Sequence, residues 1–364
     1  MPKKAKQKNN EPELSRHRNA IDSIDSQIVD LLNARTEHVL AIGNIKVAAG
    51  GSIYAPHRER AVLNKVSKLN GGPVPDASLH AIYREIMSCA LSLEKTMSIA
   101  FLGPAATFTH LAAIRRFGHS LTYVPQKTIA DVFTEVGKGR ADYGVVPVEN
   151  STEGVVNNTL DMFVDSNLKV VAQIVMPIQH CLVGRGQKSR IKKLYSHPQA
   201  LGQCRGWVQT HFPRAEIIES SSTTRAAELA AADKSAAAIA STLAAEQYGL
   251  KILEQDIQDN AANITRFLVL GTQCSPSTGN DRTSLMMRIT HEVGALHRAL
   301  EPFQKHRLNM TKIESRPSKR KAWEYYFFID VDGHMDDPPV KKAIQVLEER
   351  CGYVKILGSF PRTD

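Results

Sequence analysis

The sequence predicts three folded parts in a row: an all-helical N-terminal part, a two-lobed α/β part, and a small α+β part at the C-terminal end. Three observations carry this. From Leu14 to Ala48 apolar residues recur at three- and four-residue steps with no proline between them, which reads as one long helix. Between Ser98 and Gln273 short apolar runs repeatedly meet hydroxyl- or amide-bearing turns, most of them opening helices, as in alternating strands and helices. After a Ser/Pro/Gly/Asn-rich linker, Cys274 to Asp281, the order strand–helix–strand–strand–helix–strand fills the remainder.

At 364 residues the chain exceeds one ordinary domain, and its 42% hydrophobic content supplies real cores. The formal charge is +9. Lys3, Lys4, Lys6 and Lys8 place part of it in a basic, disordered tail over residues 1–12. The rest suits anionic small substrates. No aromatic-interleaved basic patch or zinc-finger spacing supports nucleic acid as a partner. The five cysteines (Cys89, Cys181, Cys204, Cys274 and Cys351) are widely spread without a C-x-x-C, as in reduced thiols. No apolar run of roughly 18 residues marks a membrane span, and no apolar signal region opens the chain, so a cytoplasmic protein is expected. Neither a metal-ligand cluster nor a nucleotide-binding glycine motif is present, and no metal or cofactor is expected.

The helical part spans residues 13–96. Its first helix carries Ile21, Ile24, Ile28, Leu31, Leu32, Val39, Ile42 and Ile45 as a stripe and stops at Gly50-Gly51. A rod of about 50 Å needs a partner helix to cover it. A second helix runs from His57 to Lys68, broken by Gly71-Gly72-Pro73, and a third from Asp76 to Lys95. Four cations stand out: Arg18, Arg35, Lys46 and Arg58, the last followed by Glu59. A solvated charged face is the plainer reading. Arg35 and Lys46, eleven residues apart, share one helix face. Arg18 lies about 25 Å from Arg35 along the same rod, so it joins a common site only from a second subunit. A dicarboxylate between the helices would satisfy these cations.

Several of these residues recur as motifs: Arg18, Ile21-Asp22-x-Ile24-Asp25, Leu31-Leu32-Asn33-Ala34-Arg35, Lys46, Arg58-Glu59-Arg60, and Tyr83-Arg84-Glu85-Ile86-Met87-Ser88 leading to Leu93-Glu94. Together they resemble the all-helical chorismate mutase domain. The resemblance implies an interlocked dimer in which Arg18 is lent by the partner. It also implies that Arg35 and Arg58 bind the carboxylates of chorismate, that Lys46 and Glu94 flank its ether oxygen, and that Glu59 meets its hydroxyl. A Claisen rearrangement needs a compactly held substrate and charge against the breaking C–O bond, which such a set supplies. Glu94 helps only when protonated, so activity is expected to fall as pH rises. Ala55 and Ala90 stand where polar side chains contribute in better-known members.

The α/β part spans residues 98–274. Its hydroxyl-rich turns are Thr107-Phe108-Thr109, Glu149-Asn150-Ser151-Thr152, Ser196-His197-Pro198-Gln199, Ser222-Thr223-Thr224-Arg225 and Asn263-Ile264-Thr265-Arg266-Phe267. Strand ends of this kind point at one ligand in a cleft between two lobes, as in a periplasmic-binding-protein-like fold. Joined to Gly103-Pro104 and Val146-Pro147-Val148, they resemble prephenate dehydratase. The resemblance implies that Thr107, Asn150, Ser151, Thr152, Ser222 and Thr223 line a prephenate cleft. Thr265 is the catalytic candidate, a hydrogen-bond donor to the departing hydroxyl. Arg266 is a carboxylate or structural partner, and Glu149 a proton donor or an orienter. His197, before a proline, reads as a turn residue ahead of an acid.

The C-terminal part, residues 283–361, is ferredoxin-like, with strands at Thr283–Thr290, Met310–Glu314, Trp323–Val331 and Val354–Leu357 and helices at Gly294–His306 and Pro338–Cys351. Lys319, Arg320 and Lys321 read as a solvated turn. Gly294-Ala295-Leu296 and Glu314-Ser315-Arg316-Pro317 resemble an ACT domain that binds L-phenylalanine. The three resemblances follow the order of the bifunctional chorismate mutase–prephenate dehydratase family. They imply two activities, feedback by L-phenylalanine and a homodimer or higher oligomer. The competing readings are a dehydratase whose helical domain mainly dimerises, and a phenylalanine sensor without turnover.

Overall fold

A computed structural model describes residues 11–48, 54–289, 292–318 and 324–363. The tail lysines, the Gly50-Gly51 stop and the Lys319-Arg320-Lys321 turn lie outside these residues.

Three helices come first: α1 (Glu11–Ala48), α2 (Pro56–Leu69) and α3 (Asp76–Glu94). α1 has 38 residues and is about 57 Å long. It packs on α3 over part of that length, closely enough at Gly43 that an added Cβ would stand 2.9 Å from Glu94 Cγ. Most of its apolar stripe is uncovered: Ile24 is 53% exposed, and Leu31 and Ile45 are 69% exposed.

The first α/β lobe contains β1 (Ser98–Leu102), α4 (Phe108–Phe117), β2 (Thr122–Gln126), α5 (Ile129–Gly137), β3 (Tyr143–Asn150), β4 (Gly154–Val155), α6 (Asn157–Asp165) and β5 (Lys169–Pro177). The chain then crosses to a second lobe of β6 (Cys181–Gly184), β7 (Lys193–Ser196), α7 (Pro198–Gln203), α8 (Arg205–His211), β8 (Glu216–Glu219), α9 (Thr223–Ala232), β9 (Ala236–Ala240), α10 (Thr242–Gln247) and β10 (Lys251–Glu254). It returns as β11 (Ile264–Gly271), which enters the first sheet between β3 and β5, antiparallel to both. The first sheet runs β2-β1-β3-β11-β5 with β4 beside β3, and the second runs β10-β6-β9-β7-β8. Two chain crossings therefore join the lobes, one at 178–180 and one at 255–263.

In the second lobe β9 is alanine at four of five positions and fully buried. Ala238 and Ala240 let α9 close on one side, while Ala237 and Ile239 pack against α7 and α8 on the other.

Last come β12 (Asp281–Arg288), α11 (Ala295–Lys305), β13 (Met310–Pro317), β14 (Tyr325–Asp332), α12 (Pro338–Arg350) and β15 (Tyr353–Pro361). The antiparallel sheet runs β13-β14-β12-β15. One face, with Leu285, Met287 and Ile329, carries α11 and α12. The other, with Met286, Tyr326, Phe328, Leu357 and Phe360, shares one apolar core with the first lobe through Phe133, Val148, Leu160, Phe163 and Leu268. At Gly358 an added Cβ would stand 2.2 Å from Val170 O, so only glycine allows β15 to cross β5 this closely. The helical part docks on the same lobe through Tyr54, Leu91 and Met97, which join a core with Phe101, Phe117 and Val145. All five cysteines are free. Among the described residues no helix is long and apolar enough to cross a membrane.

Candidate active sites

In the cleft region, β3 ends where β11 begins. Their register sets Asn150 opposite Thr265 and Glu149 opposite Arg266. Side chains alternate along a strand, so the two pairs occupy opposite faces. Asn150 Nδ2 donates to Thr265 Oγ1 at 2.7 Å and to Asn263 Oδ1 at 2.8 Å. Asn150 Oδ1 accepts from Thr152 N (2.9 Å), Thr152 Oγ1 (2.6 Å) and Glu153 N (3.0 Å). The amide is thereby fixed in one orientation, and Thr265 Oγ1 acts as its acceptor. The Thr265 hydroxyl hydrogen is then left to donate elsewhere. Both residues are buried, which strengthens any hydrogen bond made there.

The network continues into the second lobe. Asn263 Nδ2 donates to Gln203 Oε1 at 2.9 Å, and His180 Nε2 lies 2.8 Å from the same oxygen. An oxygen accepts, so His180 carries its proton on Nε2. Burial first, against the pull of Gln203, keeps His180 neutral below its ordinary pKa. His180 and Asn263 sit on the two crossings between lobes. A chain of hydrogen bonds thus runs from the interlobe crossings to Thr265. Beside it lies a cavity of about 240 Å³ lined by Thr152, Glu153, Gln203, Gln258, Asn260 and Asn263, among others. Asn263 lay within a motif that the sequence singled out. His180 and Gln203 carried no local signal, because only the fold brings them to Asn263.

Thr107, Ser151 and Ser222, also expected in the cleft, have structural partners. Thr107 caps α4: its Oγ1 donates to Leu102 O at 3.2 Å and accepts from His110 N at 3.3 Å. Ser151 Oγ donates to Ala262 O and accepts from Ile264 N, both at 2.9 Å. Ser222 caps α9 by accepting from Arg225 N at 2.9 Å, and Thr223 is the next residue. His197 caps α7, its Nδ1 accepting from Gln199 N at 3.3 Å.

Glu149 and Arg266, expected in the cleft, stand on the far side of the sheet. Arg266 Nη1 donates to Asp330 Oδ2 on β14 at 2.6 Å, and its Nη2 is 3.4 Å from Glu149 Oε2. Lys312 Nζ on β13 reaches the same Glu149 oxygen at 2.9 Å. The strand alternation places them there, and both neighbours belong to the C-terminal sheet.

Among the helices, Arg35 Nη1, Glu94 Oε2 and His57 Nδ1 are buried atoms without a hydrogen-bond partner. Unsatisfied buried groups of this kind are rare and call for a ligand or water. Glu94 stands against Gly43, one turn from Lys46. Burial raises its pKa above the usual carboxyl value, and Lys46 opposes the rise. Burial, then the charges of Arg58 and Lys46, lower that of His57 against an opposing effect of Asp281. Arg18 is exposed about 42 Å up the helix from Lys46 and does not reach them. Glu59 turns away from the others to pair with Arg116 of α4 at 2.9 Å, and Arg116 Nε donates to Tyr54 OH at 2.7 Å. Ala90 is buried, and Ala55 precedes α2 without a side-chain cap.

In the C-terminal part Gly294 adopts a left-handed conformation before α11, and Leu296 packs into the helix-side core. Ala295 lines a cavity of about 390 Å³ with Ile289, Glu292, Arg298, Glu301 and Arg350. Glu314, Ser315 and Arg316 lie on edge strand β13 and do not line it. Arg316 instead makes a two-pronged pair with Asp161 of α6, both contacts at 3.1 Å. Among the described residues no group of three or more His, Cys, Asp or Glu is arranged to hold a metal ion.

The chain matches the family description prephenate dehydratase over residues 99–275, chorismate mutase type II over 17–95 and ACT domain over 283–349. A bifunctional chorismate mutase/prephenate dehydratase of Aquifex aeolicus is 49% identical, covering 96% of this chain and 98% of its own. Prephenate dehydratase from Arthrobacter aurescens, solved in complex with L-Phe, superposes with a TM-score of 0.69 at 35% identity over 74% of this chain and 91% of its own. GqqA, described as a novel type of quorum quenching acylase, superposes with a TM-score of 0.68 at 29% identity over 73% of this chain and 98% of its own. One fold thus carries different described activities, and the side chains must decide between them.

Proposed function

The chain belongs to the bifunctional chorismate mutase/prephenate dehydratase family, and from that premise we propose how its own residues divide the work. It is an isomerase and a lyase with a C-terminal ACT domain.

In the dehydratase step the ring C–O bond breaks, carbon dioxide leaves and the ring becomes aromatic. Thr265 donates a hydrogen bond to the departing hydroxyl. The observation carrying this is that Asn150 Nδ2 already donates to Thr265 Oγ1, which leaves the hydroxyl proton for the substrate. A threonine hydroxyl is too weak an acid to surrender that proton, so it stabilises charge as it develops. Asn150, Thr152 and Asn263 hold it in place, and Ser222 and Thr223 border the second-lobe side of the cleft.

In the mutase step a C–O bond breaks as a C–C bond forms, with no nucleophile or base required. Lys46 and a protonated Glu94 meet the ether oxygen, while Arg35 and Arg58 hold the carboxylates. Arg18 comes from the partner of a homodimer or higher oligomer, which the distance along α1 supports. Glu59 supports the site from the junction with α4. L-Phenylalanine acts through the C-terminal domain, with Gly294, Ala295 and Leu296 on one segment and Glu314, Ser315 and Arg316 on the other. Two such modules joined across an interface bring the segments together. The chain works in the cytoplasm, in keeping with its free thiols.

The test is ultraviolet detection of phenylpyruvate from prephenate by the purified chain, with and without L-phenylalanine. Turnover that phenylalanine suppresses supports both halves of the reading. A folded chain that binds phenylalanine but leaves prephenate intact is a sensor, and the catalytic reading fails.

A further inference from the structure

The two residues that face away from the cleft are the immediate neighbours of the two that form its central pair. Glu149 precedes Asn150 on β3, and Arg266 follows Thr265 on β11. Asp330 and Lys312, their partners, lie on β14 and β13 of the C-terminal sheet. Ser284 of β12 completes the arrangement, its hydroxyl donating to Asp330 Oδ1 at 2.5 Å. Three of the four charged side chains are withdrawn from solvent, Arg266 at 14% exposed, Asp330 at 7% and Lys312 at 9%, while Glu149 is 40% exposed. Arg266 Nε is buried without a hydrogen-bond partner, so the guanidinium is held through its two terminal nitrogens alone. The Arg266–Asp330 contact, sheltered on both sides, is weakly screened, and losing one partner leaves the other charge stranded.

We propose that Arg266 is a positioning residue rather than a substrate ligand. With Glu149 it clamps the strand ends that carry Thr265 and Asn150 to β13 and β14. The clamp sets the angle at which the Thr265 hydroxyl meets the leaving group. A shift of β13 or β14 against the first lobe then changes turnover without changing the cleft's own side chains. This rests on the assignment of Thr265 to the dehydratase step. Two positions beyond Lys312 on β13 begin Glu314, Ser315 and Arg316, so phenylalanine held there pulls on the same strand.

The probe is Asp330→Asn, which alters only the C-terminal side of the clamp. Glu149→Gln, at the half-exposed end, is a gentler second variant. Each is assayed in the full chain for kcat and KM with prephenate, for the phenylalanine concentration giving half inhibition, and for mutase turnover. In Asp330→Asn, kcat falls about tenfold with KM within about twofold, half inhibition shifts about tenfold, and mutase turnover is unchanged. Arg266→Gln has the same signature, and combining it with Asp330→Asn adds nothing further. Unchanged kcat and inhibition in both Asp330→Asn and Glu149→Gln overturn the proposal. So does a large KM rise in Arg266→Gln that Asp330→Asn lacks, because that identifies a substrate ligand. Absence of prephenate turnover in wild type is a separate result, which removes the dehydratase reading itself.

Discussion

At the scale of single residues, the Asn150–Thr265 hydrogen bond at 2.7 Å makes the sharpest demands. Thr265→Ala removes the donor and lowers dehydratase kcat by about a hundredfold or more. Thr265→Ser keeps the hydroxyl and stays within about tenfold of wild type. Asn150→Ala leaves the hydroxyl without its fixed acceptor role and falls in the same range as Thr265→Ala in steady-state assays. A second demand falls on Glu94. Burial raises its pKa against the opposing effect of Lys46, which extends its protonated, hydrogen-bond-donating form to higher pH. In the proposed mutase site, as pH climbs through that value, the carboxylate would turn negative charge toward an ether oxygen that is itself gaining negative charge. Mutase turnover therefore declines as pH rises, and Glu94→Gln, a donor at every pH, flattens the profile. A profile of Glu94→Gln that keeps the wild-type decline would show that another group titrates. Thr265 stood out through the resemblance of its motif, because a threonine at a strand entrance by itself reads as an incidental strand start. Thr107 and Ser222 were less so: a hydroxyl ahead of a helix reads alike whether it binds a ligand or caps the helix, and here both cap.

At the scale of elements, periodicity told helix from strand well where patterns were long. The expected first helix, Leu14–Ala48, corresponds to α1 at Glu11–Ala48, and the second, His57–Lys68, to α2 at Pro56–Leu69. Strand ends were less legible: β13 and β15 continue to Pro317 and Pro361, beyond the expected Glu314 and Leu357. Apolarity stops there, but pairing with β14 and β12 does not. Which way Glu149 and Arg266 face was not legible either, since both faces of β3 and β11 are covered and alternation alone does not say by what. The uncovered face of α1 has its own consequence. Fully burying an Ile or Leu is worth roughly 1.5–3 kcal/mol, so a stripe with Ile21, Ile24, Ile28 and Ile45 exposed favours a partner helix strongly. Ile24→Glu combined with Ile28→Glu lowers mutase turnover about a hundredfold and leaves prephenate turnover within about twofold. Equal loss of both activities would contradict a role for this face in the mutase site.

At the scale of the whole molecule, one lobe serves both neighbours. The first lobe shares an apolar core with the C-terminal sheet and another with the helical domain, so the three parts are packed together and not merely strung on linkers. The order of the parts was legible, but this sharing was not, because an apolar strand face carries no mark of the domain that covers it. The proposed mutase site, with Arg18 lent by a partner, is tested at this scale too. Mixing Arg18→Ala chains with Arg35→Ala chains gives heterodimers with one intact site and one doubly damaged site, and mutase activity returns. Verified heterodimers that stay inactive would remove the shared-site arrangement. The central claim is that one chain carries two separable reactions in sequence. The most direct measurement feeds chorismate to wild type, Thr265→Ala and Arg35→Ala and separates the products over time. Wild type yields phenylpyruvate, Thr265→Ala accumulates prephenate, and Arg35→Ala leaves chorismate while still converting added prephenate. A Thr265→Ala chain that forms phenylpyruvate at the wild-type rate, or an Arg35→Ala chain that consumes chorismate normally, contradicts the account.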